Sequence, residues 1–507
     1  MLLALLAALL LCVTAACTKS PSAPSISSNA GTKSPTPVSG VDATLQPFYM
    51  QVLHWKGCGN GFQCSTLTVP MDYAHPTVRS LHLAMVRLPA GDQKHRIGSL
   101  VINPGGPGGS GVDYARSAKQ VISDAVRKRY DIVGFDPRGV DRSDPVECLT
   151  DRETDQFIGA DPTPTSAAQI AEAVALAKGL VSGCVKRSGS ELEFVGTRDA
   201  ARDMDVMRSA LGDPKLYYLG KSYGTFLGAT YADEFPTHVG RMVLDGVIDP
   251  ALTSEQINRG QAQGFERATR SFLADCVKRA SCPLGRDVTT AEQRLRGLLT
   301  SLDSRPLPTK DPARPLTEGW GTLGVALPLY NRTYWPLLRA ALTQAVAGSG
   351  SALLTLADAY AERGSNGRYA DNSNDAIYAV NCQDRAQPGG LAGIEQDART
   401  FPAVAPTWGA MLAWGSLPCV YWPNAPTDHP HAISAPGSGP VLVVGTIRDP
   451  ATPYEWAVSL SRELSDGHLL TYDGDGHTAY RQGSSCVDTV VDRYLLDRTV
   501  PPAGKRC

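Results

Sequence analysis

"LYYLGKSYGTFLGATYADEFP", residues 216–236, decides the fold. The apolar, aromatic-rich run ending at Gly220 reads as a buried strand, and the small-residue run from Thr225 reads as a helix. Between them Gly220-Lys221-Ser222-Tyr223-Gly224 fits G-x-S-x-G, the strand-to-helix turn that lifts a serine hydroxyl to the carboxyl end of a sheet and toward a helix N-terminus. A pentapeptide of this form also occurs in ordinary turns. The strand before it and the helix after it are what mark Ser222 as a nucleophile.

Other short apolar runs behave the same way: "SLVIN" (99–103), "YDIVGFD" (130–136), "RMVLDG" (241–246), "PVLVVGT" (440–446) and "LLTYDG" (469–474). Helical periodicity lies between them. In "TRDAARDMDVMRSALG" the residues Ala200, Met204, Met207 and Leu211 share one face, with Thr197 as N-cap and Gly212 as stop. Strand and helix in alternation predict an α/β fold with a mostly parallel central sheet flanked by helices. The alternation fails from about Pro250 to Ala435, where helical patterns and loops predominate. That span is expected to be an inserted, mainly helical lid, which makes the core discontinuous: residues 45–250 and 436–507, with 251–435 between them.

A serine hydroxyl needs a base, and in hydrolases of this type the acid and the histidine follow the serine along the chain. Of nine histidines, His238, His429, His431, His468 and His477 lie downstream. His477 stands in "DGDGHTAY", a glycine-rich loop directly after the last strand, where an imidazole can reach over the serine. The acid is expected just past the preceding strand, at Asp449 in "GTIRDPATP". Thr452, Pro453 and Glu455 would cap the next helix as a capping box and fix the loop that carries Asp449. Asp473 and Asp475 stand too near His477 in sequence to buttress it. Oxyanion donors are expected from the Gly106 and Tyr223 amides, since "VINPGGPGGSG" (101–111) follows a strand and leaves its backbone bare. The same stretch contains G-x-G-x-x-G, but Pro107 removes a donor from the turn that would cradle a pyrophosphate. No dinucleotide, and no cofactor of any kind, is expected.

Composition narrows the partners. With 48 Lys and Arg against 50 Asp and Glu, and 42% apolar residues, the chain is an ordinary globular protein with no field to draw nucleic acid. "MLLALLAALLLCVTAAC" (1–17) is an apolar run of export-signal length that ends small-small-Cys, similar to a lipobox with Cys17 as the lipidated residue. It departs from that pattern in having no basic residue before the run and Thr14 at the third position before the cysteine. Residues 18–44, rich in Ser, Pro, Thr and Gly, read as a tether, with folding expected from Leu45. The only membrane contact expected is the lipid anchor, and the location is extracytoplasmic: the membrane surface, the cell envelope or secreted. Ten of the 12 cysteines remain beyond Cys12 and Cys17. Without a C-x-x-C pair or H-E-x-x-H, disulfides explain them better than a metal site. Nearest-neighbour pairing would give five short-range bridges, though spacing does not establish connectivity.

These motifs together resemble the actinobacterial tripeptidyl aminopeptidase branch of the α/β-hydrolases, close to proline iminopeptidases and including carboxylesterases. The likeness is carried by "CSTLTVPMDYAHP", "VINPGGPGGSG", "GFDPRGV", "YYLGKSYGT", "RMVLDGVIDP", "NCQDR", "GTIRDPATP" and "GDGHTAY", which span nearly the whole chain beyond Cys17. It implies Ser222, Asp449 and His477 as a catalytic triad under a lid that admits the free N-terminal end of a peptide. Prolyl relatives carry H-G-G-P-G, whereas Pro104 stands here in place of that histidine, so strict proline specificity is not expected. An exopeptidase must also bind the substrate ammonium, and Asp384, two residues after Cys382, is the candidate, with an ordinary surface aspartate as the alternative. Two other functions compete: an esterase or lipase using the same triad, and a catalytically silent envelope lipoprotein that binds peptides.

Overall fold

The computed structural model describes residues 37–426 and 429–507. The export signal, Cys17 and most of the tether lie outside the described residues. One sheet organises the rest. Its strands are β1 (Lys56–Gly57), β2 (Gln63–Pro70), β3 (Ser80–Leu88), β4 (Gly98–Asn103), β5 (Tyr130–Phe135), β6 (Leu216–Lys221), β7 (Val239–Asp245), β8 (Val441–Arg448) and β9 (Gly467–Asp475). They run in the order β1-β2-β3-β5-β4-β6-β7-β8-β9. From β5 to β9 every pairing is parallel, while β1, β2 and β3 join as an antiparallel edge.

All six strands expected from apolar runs are present, and the antiparallel edge adds the rest. Residues in β4 and β5 are buried throughout, as parallel strands covered on both faces must be, whereas β2 and β3 mix buried with exposed positions. One face of the sheet packs on the helices Thr197–Ala210 and Tyr223–Glu234 through Met204, Met207, Leu227 and Tyr231. The other face packs on Ser485–Asp497 and the short helices after β4 through Val112, Val126, Val491 and Tyr494.

Two boundaries differ from expectation. Order begins before Leu45: Val38 and Val41 pack on the sheet core, and the Gln46 side chain bonds the Val38 backbone at both N and O. The helix expected to be capped by Thr197 has Gly196 at that position. Thr197 instead directs its N–H and hydroxyl, each at 2.6 Å, to the carboxylate of Asp384.

Between β7 and β8 the chain is helical, with Ser254–Cys276, Val288–Ser304, Glu318–Leu329 and Ser373–Asp384 among its longer elements. This insertion has a core of its own, which includes Phe272, Leu295, Trp320, Leu338 and Trp408. A second helical segment joins it. Asp151–Ile158 and Ala167–Ser188, between β5 and β6, each begin with a capping box (Thr150 with Glu153, Ser166 with Gln169). Ala177 of the second helix packs with Ile394, Trp414 and Leu417 of the insertion. Five disulfides pair each cysteine with its neighbour in sequence: Cys58–Cys64, Cys148–Cys184, Cys276–Cys282, Cys382–Cys419 and Cys486–Cys507.

Candidate active site

Ser222 follows β6 directly and precedes the helix Tyr223–Glu234. Its backbone sits at φ 55° and ψ −127°, a conformation that costs an L-residue on the order of 1–3 kcal/mol and persists only where the surroundings enforce it. The flanks show how they do. A Cβ on Gly220 would stand 2.2 Å from the Gly224 carbonyl oxygen, so the turn closes only with glycine there. The Ser222 N–H donates to the Asp245 carbonyl at 3.0 Å, and the Ser222 carbonyl accepts from Thr225 N–H at 2.8 Å and Thr225 Oγ1 at 2.6 Å.

Asp449 follows β8 and is fully buried. Its carboxylate accepts from the backbone N–H of Ala451 (2.9 Å), Thr452 (2.8 Å) and Thr478 (3.2 Å). The same carboxylate meets His477 Nδ1 at 2.9 and 3.0 Å. That contact places the proton on Nδ1 and leaves Nε2 as the basic nitrogen. Thr452 Oγ1 lies 3.2 Å from Nδ1, so this threonine braces the imidazole. The capping box expected of it is not formed: Pro453 is the cap of Tyr454–Glu463, and Glu455 pairs with Arg267. Tyr330, from the helical insertion, accepts the His477 N–H at 2.8 Å and sets its ring edge-on to the imidazole at 5.1 Å.

The histidine loop is tied to the serine turn by two buried charges that the sequence reading did not single out. Asp245 ends β7; its carboxylate accepts from Ala479 N–H (2.9 Å) and Tyr480 N–H (2.9 Å), while its carbonyl holds Ser222. Lys221 donates to the Tyr480 carbonyl at 2.7 Å and Thr478 Oγ1 at 3.3 Å. Burial pushes the Lys221 ammonium down and the Asp245 carboxyl up, each opposed by the other's charge. Both stood in quoted motifs, one flanking the serine and one ending a strand. Nothing in the sequence shows that they meet.

The glycine-rich loop after β4 lies against this turn. A Cβ on Gly105, whose φ is +96°, would stand 2.5 Å from the Lys221 carbonyl oxygen and 2.9 Å from Tyr223 N. Among the described residues, neither Gly106 N–H nor Tyr223 N–H donates to a protein acceptor. Both residues line a cavity of about 220 Å³ roofed by Ser254–Cys276 and Ser373–Asp384. Its polar lining includes Asn258, Gln261, Asn381 and Arg385, and, among the described residues, no carboxylate. Asp384 is placed elsewhere. It is buried on the N-terminus of Thr197–Ala210, where its carboxylate satisfies a helix amide, and it is not among the residues that line this cavity. A second, more apolar cavity of about 180 Å³ adjoins, sharing Tyr378 and Gly415 with the first.

Of the other downstream histidines, His238 meets Asp205, His431 meets Asp233 and the His429 carbonyl, and His468 meets Asp466. Asp473 and Asp475 pair with Arg448. Asp449 and His477 thus meet in a loop that Asp245 ties to the Ser222 turn, and the three residues follow β6, β8 and β9 in that chain order.

A family model described as TAP-like protein matches residues 405–507. The serine protease Hip1 of Mycobacterium tuberculosis is 40% identical over 491 residues, covering 93% of this chain and 94% of its own length. The chain belongs to the tripeptidyl aminopeptidase family of α/β-hydrolases. Two further members are the tripeptidyl aminopeptidase of Streptomyces coelicolor, 35% identical over 88% of this chain and 84% of its own, and carboxylesterase B of M. tuberculosis, 40% identical over 88% and 86%. Family membership makes the chain a serine hydrolase.

Proposed function

We propose that this chain is an extracytoplasmic serine peptidase that removes short peptides, tripeptides in the main, from free N-termini of peptides or proteins. The observation that carries the chemistry is the buried Asp449–His477 contact beside a serine held at positive φ. Ser222 Oγ attacks the scissile carbonyl carbon and gives its proton to His477 Nε2. Asp449 keeps the imidazole in the right tautomer and stabilises its positive charge. The Gly106 and Tyr223 amides take the oxyanion. His477 returns the proton to the leaving amine, the acyl-enzyme forms on Ser222, and a water activated by His477 hydrolyses it. The chemistry asks for no cofactor.

The amides in the cavity support recognition of a peptide end. Gln261 Nε2 donates to the Ala451 carbonyl at 3.0 Å, which turns its oxygen away from that contact and toward the cavity. Asn258, one turn earlier on the same helix face, donates Nδ2 to Ser416 Oγ at 2.6 Å. Two carbonyl oxygens are thus left to accept from a substrate ammonium or its first amide N–H groups. Helices Ser254–Cys276 and Ser373–Asp384 line the cavity, and its volume of about 220 Å³ suits a peptide end better than a long chain. The disulfides agree with an oxidising compartment, and with Cys17 as a lipid anchor the enzyme would stay at the membrane.

The adjoining apolar cavity favours a second reading, an esterase that houses an apolar acid there. One experiment separates the two: turnover of a free-amine tripeptide-anilide, its N-acetyl form and a short-chain ester by the wild type and Ser222→Ala. Cleavage confined to the free amine supports the peptidase. Turnover of the ester alone supports the esterase and overturns the first reading.

A further inference from the structure

Three carboxylates converge where the segment 151–194 meets the helical insertion. Glu318 opens the helix Glu318–Leu329, Asp303 lies in the last turn of Val288–Ser304, and Asp161 stands in the loop before Ala167–Ser188. One oxygen from each falls within 4.8 Å of the others. Glu318 is only 5% exposed, and its Oε2 has no hydrogen-bond partner among the described residues. Asp161 Oδ2 is buried and equally without a partner. Three of the other oxygens have donors: Glu318 Oε1 accepts from Thr163 Oγ1 at 3.2 Å, Asp161 Oδ1 from Thr163 N–H at 2.8 Å, and Asp303 Oδ2 from Gln169 Nε2 at 3.1 Å.

Charge balance is missing as well. The charges that act most on Glu318 are Asp161 and Asp303, and those that act most on Asp161 are Asp303 and Glu172, all of like sign. Asp303 also sits at the negative end of its helix dipole. A buried carboxylate without hydrogen bonds or countercharge is costly, and proteins resolve such a cost with a partner, a proton or a metal.

We propose that Asp161, Asp303 and Glu318 bind one divalent cation, calcium by preference, that staples the segment 151–194 to the helical insertion. Calcium takes oxygen ligands at about 2.3–2.6 Å in adaptable geometry, which lets one ion bridge oxygens up to about 5 Å apart; magnesium, at about 2.0–2.1 Å, demands a tighter set. Asp303, at the exposed edge, offers the way in, and water completes the shell. Asp161 also lines the apolar cavity beside the active-site cavity, so the ion would hold that wall.

The test is thermal unfolding of the full chain, stripped with EDTA and then supplied with about 1 mM calcium or magnesium at matched ionic strength. Wild type is expected to gain about 3 °C in Tm with calcium and less with magnesium. Glu318→Gln and Asp303→Asn should lose that gain while keeping their far-UV circular dichroism. In EDTA near neutral pH, Glu318→Gln should melt above wild type, because it removes an uncompensated charge. Should Glu318→Gln fail to fold, the exposed Asp303→Asn carries the comparison. An equal calcium response in wild type and variants, or none together with no binding heat in calorimetry, overturns the site. So does a wild type that is stabilised by acid but indifferent to calcium, which would mean that Glu318 and Asp161 share a proton instead.

Discussion

The Lys221 ammonium lies 3.9 Å from the Asp245 carboxylate, both side chains buried, and the pair spans the gap between the serine turn and the histidine loop. Lys221 grips that loop by Tyr480 and Thr478, Asp245 grips it by the Ala479 and Tyr480 amides, and Asp245 also holds the Ser222 N–H. In the proposed mechanism the spacing of nucleophile and base is therefore set by two buried residues outside the cavity lining. Lys221→Met should lower kcat on the order of 10²-fold, the cost of a misplacement near 1 Å, with KM changed less. It should also destabilise the fold by about 3–5 kcal/mol, because Asp245 is left buried without its cation. Steady-state kinetics and urea unfolding check the two effects separately.

The strain at Ser222 predicts opposite effects on activity and stability. Ser222→Gly should abolish turnover yet raise stability by about 1 kcal/mol, since glycine accepts φ 55° without the Cβ penalty, offset in part by its own entropy. A denaturation midpoint equal to or below that of wild type would show that the turn is not strained.

In the proposed mechanism Asp449 acts through the imidazole. Asp449→Asn is expected to lower kcat by about 10⁴-fold, by turning His477 to the wrong tautomer, while an active-site titrant still finds the folded enzyme. A loss of tenfold or less would make another group the orienter of His477.

The acid dependence of stability should be visible at Glu318 when chelator keeps the site free of metal. Burial, with Asp161 and Asp303 adding to it, pushes this carboxyl up to about 7 from its ordinary 4.5. A carboxyl raised in the folded state keeps a proton that the unfolded chain has already released. Its contribution is therefore fully present below pH 4.5 and is lost as pH rises through about 7. In EDTA, the Tm difference between wild type and Glu318→Gln should move against wild type across that window. Thermal scans at several pH values measure it, and parallel curves would exclude the shift.

The buried pair Arg138–Asp203 offers a stability test away from the site. Arg138 donates Nε and Nη2 to the two Asp203 oxygens at 2.7 and 2.6 Å, and Tyr73 adds a third donor at 2.8 Å. Asp203→Ala should cost about 3–5 kcal/mol, because a fully buried guanidinium loses its counterion. Guanidinium unfolding reads this directly.

The sequence by itself determined the fold class and marked the candidate triad and oxyanion loop, because each rests on local signals. A strand run, a G-x-S-x-G turn, a glycine-rich loop and a strand-end aspartate bear their meaning within a dozen residues. The order of those signals along the chain matches the order of the strands that present them. Even the disulfides followed sequence neighbours, although spacing alone could not choose the pairing. Tertiary structure decided what depends on residues distant in sequence. It took Asp384 to the amide of Thr197, where a helix N-terminus needed an acceptor, and left Asn258 and Gln261 to line the cavity in its stead. It drew the 151–194 helices into the roof, joined Lys221 to the histidine loop, and brought Asp161, Asp303 and Glu318 together. Contacts of this kind are chosen by burial and by the satisfaction of polar groups across the fold. No window of sequence contains both partners, and only the folded chain brings them into reach.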